Sequence, residues 1–221
     1  TNQFPRTSDL ALEFRAAGIP VLIGGFHVSG VLSLFEKPSH ELQHLLDHGV
    51  TLVKGEVEAP GVMSEIMRDA LDGTLKPIYA IEELPDISNA PVPKVSVALQ
   101  HRYFTKNMGT IDMSRGCPFD CSFCTIINVQ GRKMRCRSGK RVLEAIEENY
   151  DRGVSIYLFT DDNFARNPIW EQIFDGLIEM RERGRKIMFM MQTDTGAHRI
   201  PNFVEKAAKA GCYLVSIGME S

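Results

Sequence analysis

Cys117, Cys121 and Cys124 lie in the stretch Arg-Gly-Cys-Pro-Phe-Asp-Cys-Ser-Phe-Cys at 115–124. Three residues separate the first pair and two separate the second. Soft thiolate sulfur selects zinc, copper(I) or iron–sulfur clusters. Four thiolates would close a zinc site or a standard cluster, whereas three leave one metal corner open to react. Three closely spaced cysteines on one loop therefore suit iron better than a disulfide.

Two other readings use the same residues. The chain has five cysteines, an odd number, and no secretory signal, which disfavours a disulfide framework. A structural zinc would need a fourth ligand; Cys136 could supply it, but its neighbours Arg135 and Arg137 add no further donor. Cys136 and Cys212 read instead as small core residues. Free thiols without a targeting segment point to a reducing cytoplasm.

The elements that must position this loop read as α/β. Towards the amino end, Ser8 is a candidate helix cap, with Leu10, Phe14 and Ala17 on one face and Gly18 as the stop. A short apolar strand at 20–23 runs into Gly24, Gly25 and His27, and a second strand at 51–54 runs into Gly55 and Glu56. A helix follows over 61–71, carrying Val62, Ile66, Met67 and Ala70. Pro77, Pro85, Pro91 and Pro93 then mark a linker over 74–109. Beyond it the pattern is β-α-β-α-β-α-β, with strands at 110–113, 154–159, 187–191 and 213–217. Strands apolar on both faces, alternating with helices, predict a parallel sheet. Four such repeats make about half of an eight-fold barrel. Both ends read as cut, so the chain is expected to be an internal segment of a longer protein.

Ligands in parallel α/β folds gather at the carboxyl ends of strands. The first of these four strands delivers the cysteine loop. The next three deliver Asp161 and Asp162, then Gln192 and Asp194, then Glu220 and Ser221. Carboxylates and amides there can bond hydroxyl and ammonium groups. Arg132, Lys133, Arg135, Arg137, Lys140 and Arg141 form a basic cluster after the cysteines. It reads either as a solvated face or as a site for an anion.

The cysteine spacing, with aromatic Phe123 before the third cysteine, resembles the radical S-adenosylmethionine (SAM) superfamily. The resemblance implies that Cys117, Cys121 and Cys124 hold a [4Fe–4S] cluster. Its open iron would take the amino and carboxylate groups of SAM, which is cleaved to methionine and a 5′-deoxyadenosyl radical. Asp-Asp-Asn-Phe at 161–164 and Gly-Met-Glu-Ser at 218–221 look like patterns of the cobalamin-associated members. On that resemblance Phe123, Asp161, Asp162, Gln192, Asp194, Glu220 and Ser221 are expected near SAM. The Gly24-Gly25 turn, with His27, Gly55 and Glu56, resembles the second half of a cobalamin-binding domain. His27 does not match the loop that supplies a cobalt ligand in such domains, so a local bond or an edge contact is expected of it.

The implied fold is the C-terminal part of a Rossmann-like cobalamin-binding domain (1–73), a linker (74–109) and the first half of a partial TIM-type (β/α) radical SAM barrel (110–221). The implied partners are a small-molecule substrate and an external electron donor of flavodoxin or ferredoxin type. Two alternatives stay open: a cobalamin-independent radical SAM enzyme of methylthiotransferase type, and an iron–sulfur electron-transfer or binding protein. The chain has 221 residues, 43% hydrophobic and 24% charged, with a net charge of −3. That balance offers no case for nucleic acid or an anionic membrane, and no apolar run is long enough to span a bilayer.

Overall fold

The computed structural model describes residues 2–92, 96 and 107–219. Two compact units divide the chain: residues 1–85 with 120–131, and residues 86–119 with 132–221. The division falls inside the cysteine loop, so Cys117 counts with the second unit and Cys121 and Cys124 with the first. Both units are α/β with parallel sheets.

In the first unit, helix α1 (Phe4–Ala16) starts earlier than the Ser8 cap predicts. Pro5 occupies the first turn, where its missing N–H costs nothing. This start turns Phe4 and Ala11 inward. Leu10 and Phe14, expected on the core face, are exposed instead. Strand β1 (Leu22–Ile23) leads to α2 (Phe26–Leu34), so the residues after Gly25 are helix rather than turn. Helix α3 (His40–Asp47) is capped by Ser39, whose hydroxyl accepts from the Leu42 N–H at 3.4 Å. Strand β2 (Thr51–Lys54), helix α4 (Val62–Asp72) and strand β3 (Ile78–Ala80) follow. Strand β3 lies inside the span read as linker. It pairs with β2 in parallel, Val53 opposite Tyr79, in the sheet order β1-β2-β3. Val28, Leu42, Leu45 and Leu52 form the core beside that sheet.

In the second unit the main sheet has the order β4-β7-β8-β9, all parallel. Its strands are β4 (Met108–Ile111), β7 (Ile156–Phe159), β8 (Met188–Asp194) and β9 (Cys212–Gly218). Between β4 and β7 run β5 (Ser114–Arg115), a short helix α5 (Ile126–Val129) grouped with the first unit, β6 (Arg135–Cys136) and helix α6 (Gly139–Asp151). Helices α7 (Trp170–Glu182) and α8 (Phe203–Ala210) complete the repeats.

The sheet is buried on one face. Tyr157, Phe159, Phe189 and Met191 pack into a core with Val142, Ile146, Phe174 and Leu177 from the helices. Phe159 and Phe189 stack with centroids 4.3 Å apart, and Phe174 joins them at 5.6 Å from Phe189. On the opposite face Ile156, Leu158, Met190 and Gln192 are half-buried or exposed. The strands therefore alternate between a buried face and a more open one among the described residues. Among these residues no helix is long and apolar enough to cross a membrane.

Gly55 illustrates how tightly the sheet in the first unit is built. Its φ is +97°, and a Cβ there would meet the Ile81 carbonyl oxygen at 2.2 Å. Gly153, which ends α6 at φ +96°, faces open space. Gly55→Ala is predicted to lose well over ~1 kcal/mol, because it adds a backbone collision to the strain of positive φ. Gly153→Ala bears the strain alone. Urea unfolding of both variants checks this, and equal losses would contradict it.

Candidate functional site

The cysteine loop grows from a short ribbon. Strand β5 pairs antiparallel with β6, Ser114 opposite Cys136 and Arg115 opposite Arg135, so residues 116–134 leave and return through one stem. That stem lies just beyond the carboxyl end of β4. Two carboxylates hold it.

The first tie is Asp161, at 1% exposure, just past the end of β7. It accepts from the Met113 N–H at 3.0 Å and from the Ser114 hydroxyl. Both its oxygens thus face the chain's own stem. The second tie is Asp112, which accepts from Arg137 at 2.9 Å on each oxygen and from Arg115 at 3.2 Å. Arg137 is itself buried and also donates to the carbonyls of Asp112 and Pro91, both at 3.0 Å. This member of the basic cluster therefore faces inward. Arg141 bonds the Asn89 carbonyl at 2.9 Å, while Lys140 makes a surface contact with Glu144.

The cysteines differ in their surroundings. Cys121 is exposed, Cys117 and Cys124 are half-buried, and no two cysteines form a disulfide among the described residues. The Cys124 N–H donates to the Cys121 carbonyl at 3.0 Å, and Asn128 of α5 donates to the Cys124 carbonyl at 3.1 Å. Among the described residues no three His, Cys, Asp or Glu side chains converge tightly enough for a single ion. A cluster spreads its thiolates over separate irons, so its ligands need not meet at one point. The donor set of three accessible thiols on one loop fits such a cluster. Cys136 does not extend that set. Burial first, then the nearby Asp161, pushes its thiol up to about 11. Its thiol donates to Asn167 Oδ1 at 3.4 Å, so it is engaged away from the loop.

The remaining predicted residues fall into three groups. Asp162 and Gln192 are exposed polar groups at the ends of β7 and β8. Asp194 ends β8 and is already engaged. It accepts from Arg166 at 2.7 and 2.6 Å, from Asn163 at 3.0 Å and from the Gly196 N–H at 2.6 Å. Burial opposes its ionisation, but these bonds outweigh that and hold its carboxyl below the usual range. Glu220 and Ser221 lie outside the described residues. Phe123 is 67% exposed. Arg137 is singled out in the sequence only as a member of the basic cluster; the residues that sequence reasoning missed are Asp112, Ser114, Asn163 and Arg166. Asn163 sits inside the Asp-Asp-Asn-Phe pattern that was singled out, so it alone had a local signal.

In the first unit, Gly24, Gly25 and Gly55 sit at the carboxyl ends of neighbouring parallel strands. Gly25 has φ +89° with open space where a Cβ would stand. Gly55 owes its glycine to the Ile81 carbonyl, and its N–H donates to Ser29 Oγ at 3.1 Å. Glu56 is buried. His27 stacks on Phe4 at 3.9 Å, a local contact, and burial lowers its pKa. A cavity of about 180 Å³ is lined by Ser29, Ser33, Lys54, Gly55, Glu82 and Asn128. The Ser33 hydroxyl is buried with no partner among the described residues. That orphan and the open side of Gly25 fit a ligand at this edge. The cavity is smaller than the ~300–1,000 Å³ of a typical small-molecule pocket, so it suits one arm of a large ligand.

Asp161 sets a pH signature. Burial, against the bonds from Ser114 and Met113, pushes its carboxyl from 3.8 up to about 6. Between those values the folded protein keeps a proton that the unfolded chain has lost. Stability should therefore fall as pH rises through that window, by on the order of 3 kcal/mol, and level off above it. Asp161→Asn should flatten that slope. Urea midpoints of both proteins across the window test this; an unchanged slope in the variant would exclude Asp161 as its source.

The family model described as the radical SAM superfamily matches residues 111–221. Bacteriochlorophyllide d C-12(1)-methyltransferase of Chlorobaculum tepidum is 29% identical over 213 residues, covering 94% of this chain and 43% of the relative. Bacteriochlorophyllide d C-8(2)-methyltransferase of the same organism is 28% identical, covering 100% of this chain and 48% of the relative. The chain thus spans less than half the length of these curated relatives. Among solved structures, the radical S-adenosylmethionine methyltransferase TsrM of Kitasatospora setae, with cobalamin and a [4Fe–4S] cluster bound, aligns with a TM-score of 0.69 at 16% identity. That alignment covers 99% of this chain and 45% of TsrM, and it shows a shared fold. The three-cysteine loop stands within the span matched by the family model, and the chain belongs to the radical SAM superfamily.

Proposed function

We propose that this chain is part of a cobalamin-dependent radical SAM enzyme that transfers a methyl group, or carries out a related radical reaction, on a small-molecule substrate. The observation that carries the proposal is the three-cysteine loop, rooted by the buried carboxylate of Asp161 and the Asp112–Arg137 pair at the carboxyl edge of a parallel sheet. The methyltransferase names of the relatives support the reaction type. We read the second unit as the first half of a partial barrel, because its helices cover one sheet face and leave the other for an interior. We read the first unit as the C-terminal part of a Rossmann-like cobalamin-binding domain.

In this reading Cys117, Cys121 and Cys124 hold a [4Fe–4S] cluster with one iron left open to SAM. When bound, the cluster supplies the electron that cleaves SAM, and cobalamin supplies a methyl carrier. The chain's own residues do the positioning. Asp161 and the Asp112–Arg137 pair fix where the loop leaves the sheet. Asp162 and Gln192 offer exposed polar groups for SAM at the next two strand ends, and Glu220 and Ser221 are assigned the same role. Asp194 acts through Arg166 instead of reaching a ligand itself. Phe123 packs beside the cluster. Gly24, Gly25, His27, Gly55 and Glu56 line the cobalamin edge, where the orphaned Ser33 hydroxyl offers a further polar contact. An external electron donor completes the system, in the cytoplasm.

The test is anaerobic purification and reconstitution with iron, sulfide and cobalamin, followed by reduction in the presence of SAM. The proposal expects 5′-deoxyadenosine and bound corrinoid absorbance, with both cluster and product lost on replacing any of the three cysteines by Ala. Product without corrinoid would move the assignment to a cobalamin-independent enzyme. An intact cluster that leaves SAM uncleaved would end the enzyme reading.

A further inference from the structure

Arg166 is the group that no motif predicted, and it touches the cysteine loop from within the second unit. It belongs to a turn of 3₁₀ helix (Phe164–Arg166) after β7. Its fork grips Asp194 on both oxygens, Nε to Oδ2 at 2.7 Å and Nη2 to Oδ1 at 2.6 Å. The carboxylate is fixed from behind by Asn163 Nδ2 at 3.0 Å and by the Gly196 N–H at 2.6 Å. Asn163 is buried and accepts from the Thr193 hydroxyl at 3.4 Å. A planar guanidinium held at two points has little freedom left.

The guanidinium carbon lies 5.3 Å from the centroid of the Phe119 ring. Phe119 stands between Cys117 and Cys121 in the loop. A cation over an aromatic face is attractive, and more so when partly desolvated. The Arg166–Asp194 pair is partly buried, at 27% and 20% side-chain exposure. After the Asp194 bonds, attraction to Cys117 is a further influence that keeps Arg166 charged. An ordinary structural ion pair would explain the grip on Asp194. It would not explain why the same fork is laid across an aromatic ring of the cysteine loop, two residues after the first thiol.

We infer that Arg166 is a positioning residue that clamps the loop at Phe119, two residues after Cys117, and so holds a fixed positive charge on the cysteine loop, easing reduction of the centre that the loop carries. The inference rests on the cluster reading above. Positive charge near an iron–sulfur centre favours its more negative, reduced form, and the surrounding charge is one of the determinants of cluster potential. The route from Asp194 through Arg166 to Phe119 also gives the end of β8 a hold on the loop that β4 delivers.

The experiment uses the anaerobically reconstituted protein, with Arg166→Met, Arg166→Lys and the double variant Arg166→Met/Asp194→Asn, which leaves no unpaired carboxylate. Redox titration followed by EPR should show the Arg166→Met midpoint lowered by a tenfold change in the reduction equilibrium, about 59 mV for one electron. Arg166→Lys should recover most of it, and the double variant should stay low. Amide exchange in the metal-free proteins should show faster exchange around residues 116–119 without Arg166. An unchanged midpoint in a variant that holds its full iron content overturns the electrostatic role, while leaving the cluster reading intact. Unchanged exchange overturns the clamp. A wild-type protein that takes up no cluster overturns the cluster reading and the electrostatic role together, and exchange then decides the clamp alone.

Discussion

A buried carboxylate holds the loop on which the rest depends. Asp161 comes from the end of one strand and bonds the backbone and hydroxyl of residues at the foot of the loop rooted on its neighbour. An ionised carboxylate without partners would be prohibitive at that depth, and partners on only one side would leave the stem free to slide. With both oxygens engaged, the burial that penalises the charge also makes the geometry rigid. Asp112 repeats the arrangement on the other side, with Arg137 and Arg115 as its cations. The loop can therefore project thiols while its base cannot wander.

The parallel sheet explains why these ties are available. Strand order β4-β7-β8-β9 brings successive carboxyl ends side by side, so residues distant in sequence become neighbours. The aromatic core of Phe159, Phe174 and Phe189 sets the spacing of those strands from one face. Truncating a buried phenylalanine typically costs ~3–5 kcal/mol, so this core fixes strand position more firmly than any single polar contact. Polar groups at the strand ends then divide the work. Asp161 and Asp194 face inward to hold structure, and Asp162 and Gln192 face out.

Much of this architecture was legible in the sequence, and the missing parts share a cause. Apolar runs closed by Gly153, Gly184 and Gly211 mark the repeats of the second unit, because a strand and a helix each need their own period and stop. Helix α1 was misread because its apolar Leu10 and Phe14 suggested a buried face, whereas Pro5 sets the start and Phe4 and Ala11 turn inward. Strand β3 was hidden by the prolines around it. The pairs Ser114–Asp161, Arg137–Asp112 and Arg166–Asp194 span 47, 25 and 28 residues. Such pairs depend on strand register, which hydrophobic pattern leaves open. A motif reading finds the cysteines because their chemistry is local, but finds nothing of the charges that hold them.

The central claim is that three thiolates carry a four-iron cluster with one distinct iron open to SAM. Mössbauer spectroscopy of the ⁵⁷Fe-reconstituted protein, with and without SAM, tests it most directly. SAM should shift the parameters of one iron and leave the other three in place. Four equivalent irons that ignore SAM would mean a fourth protein ligand closes the cluster, and would contradict it.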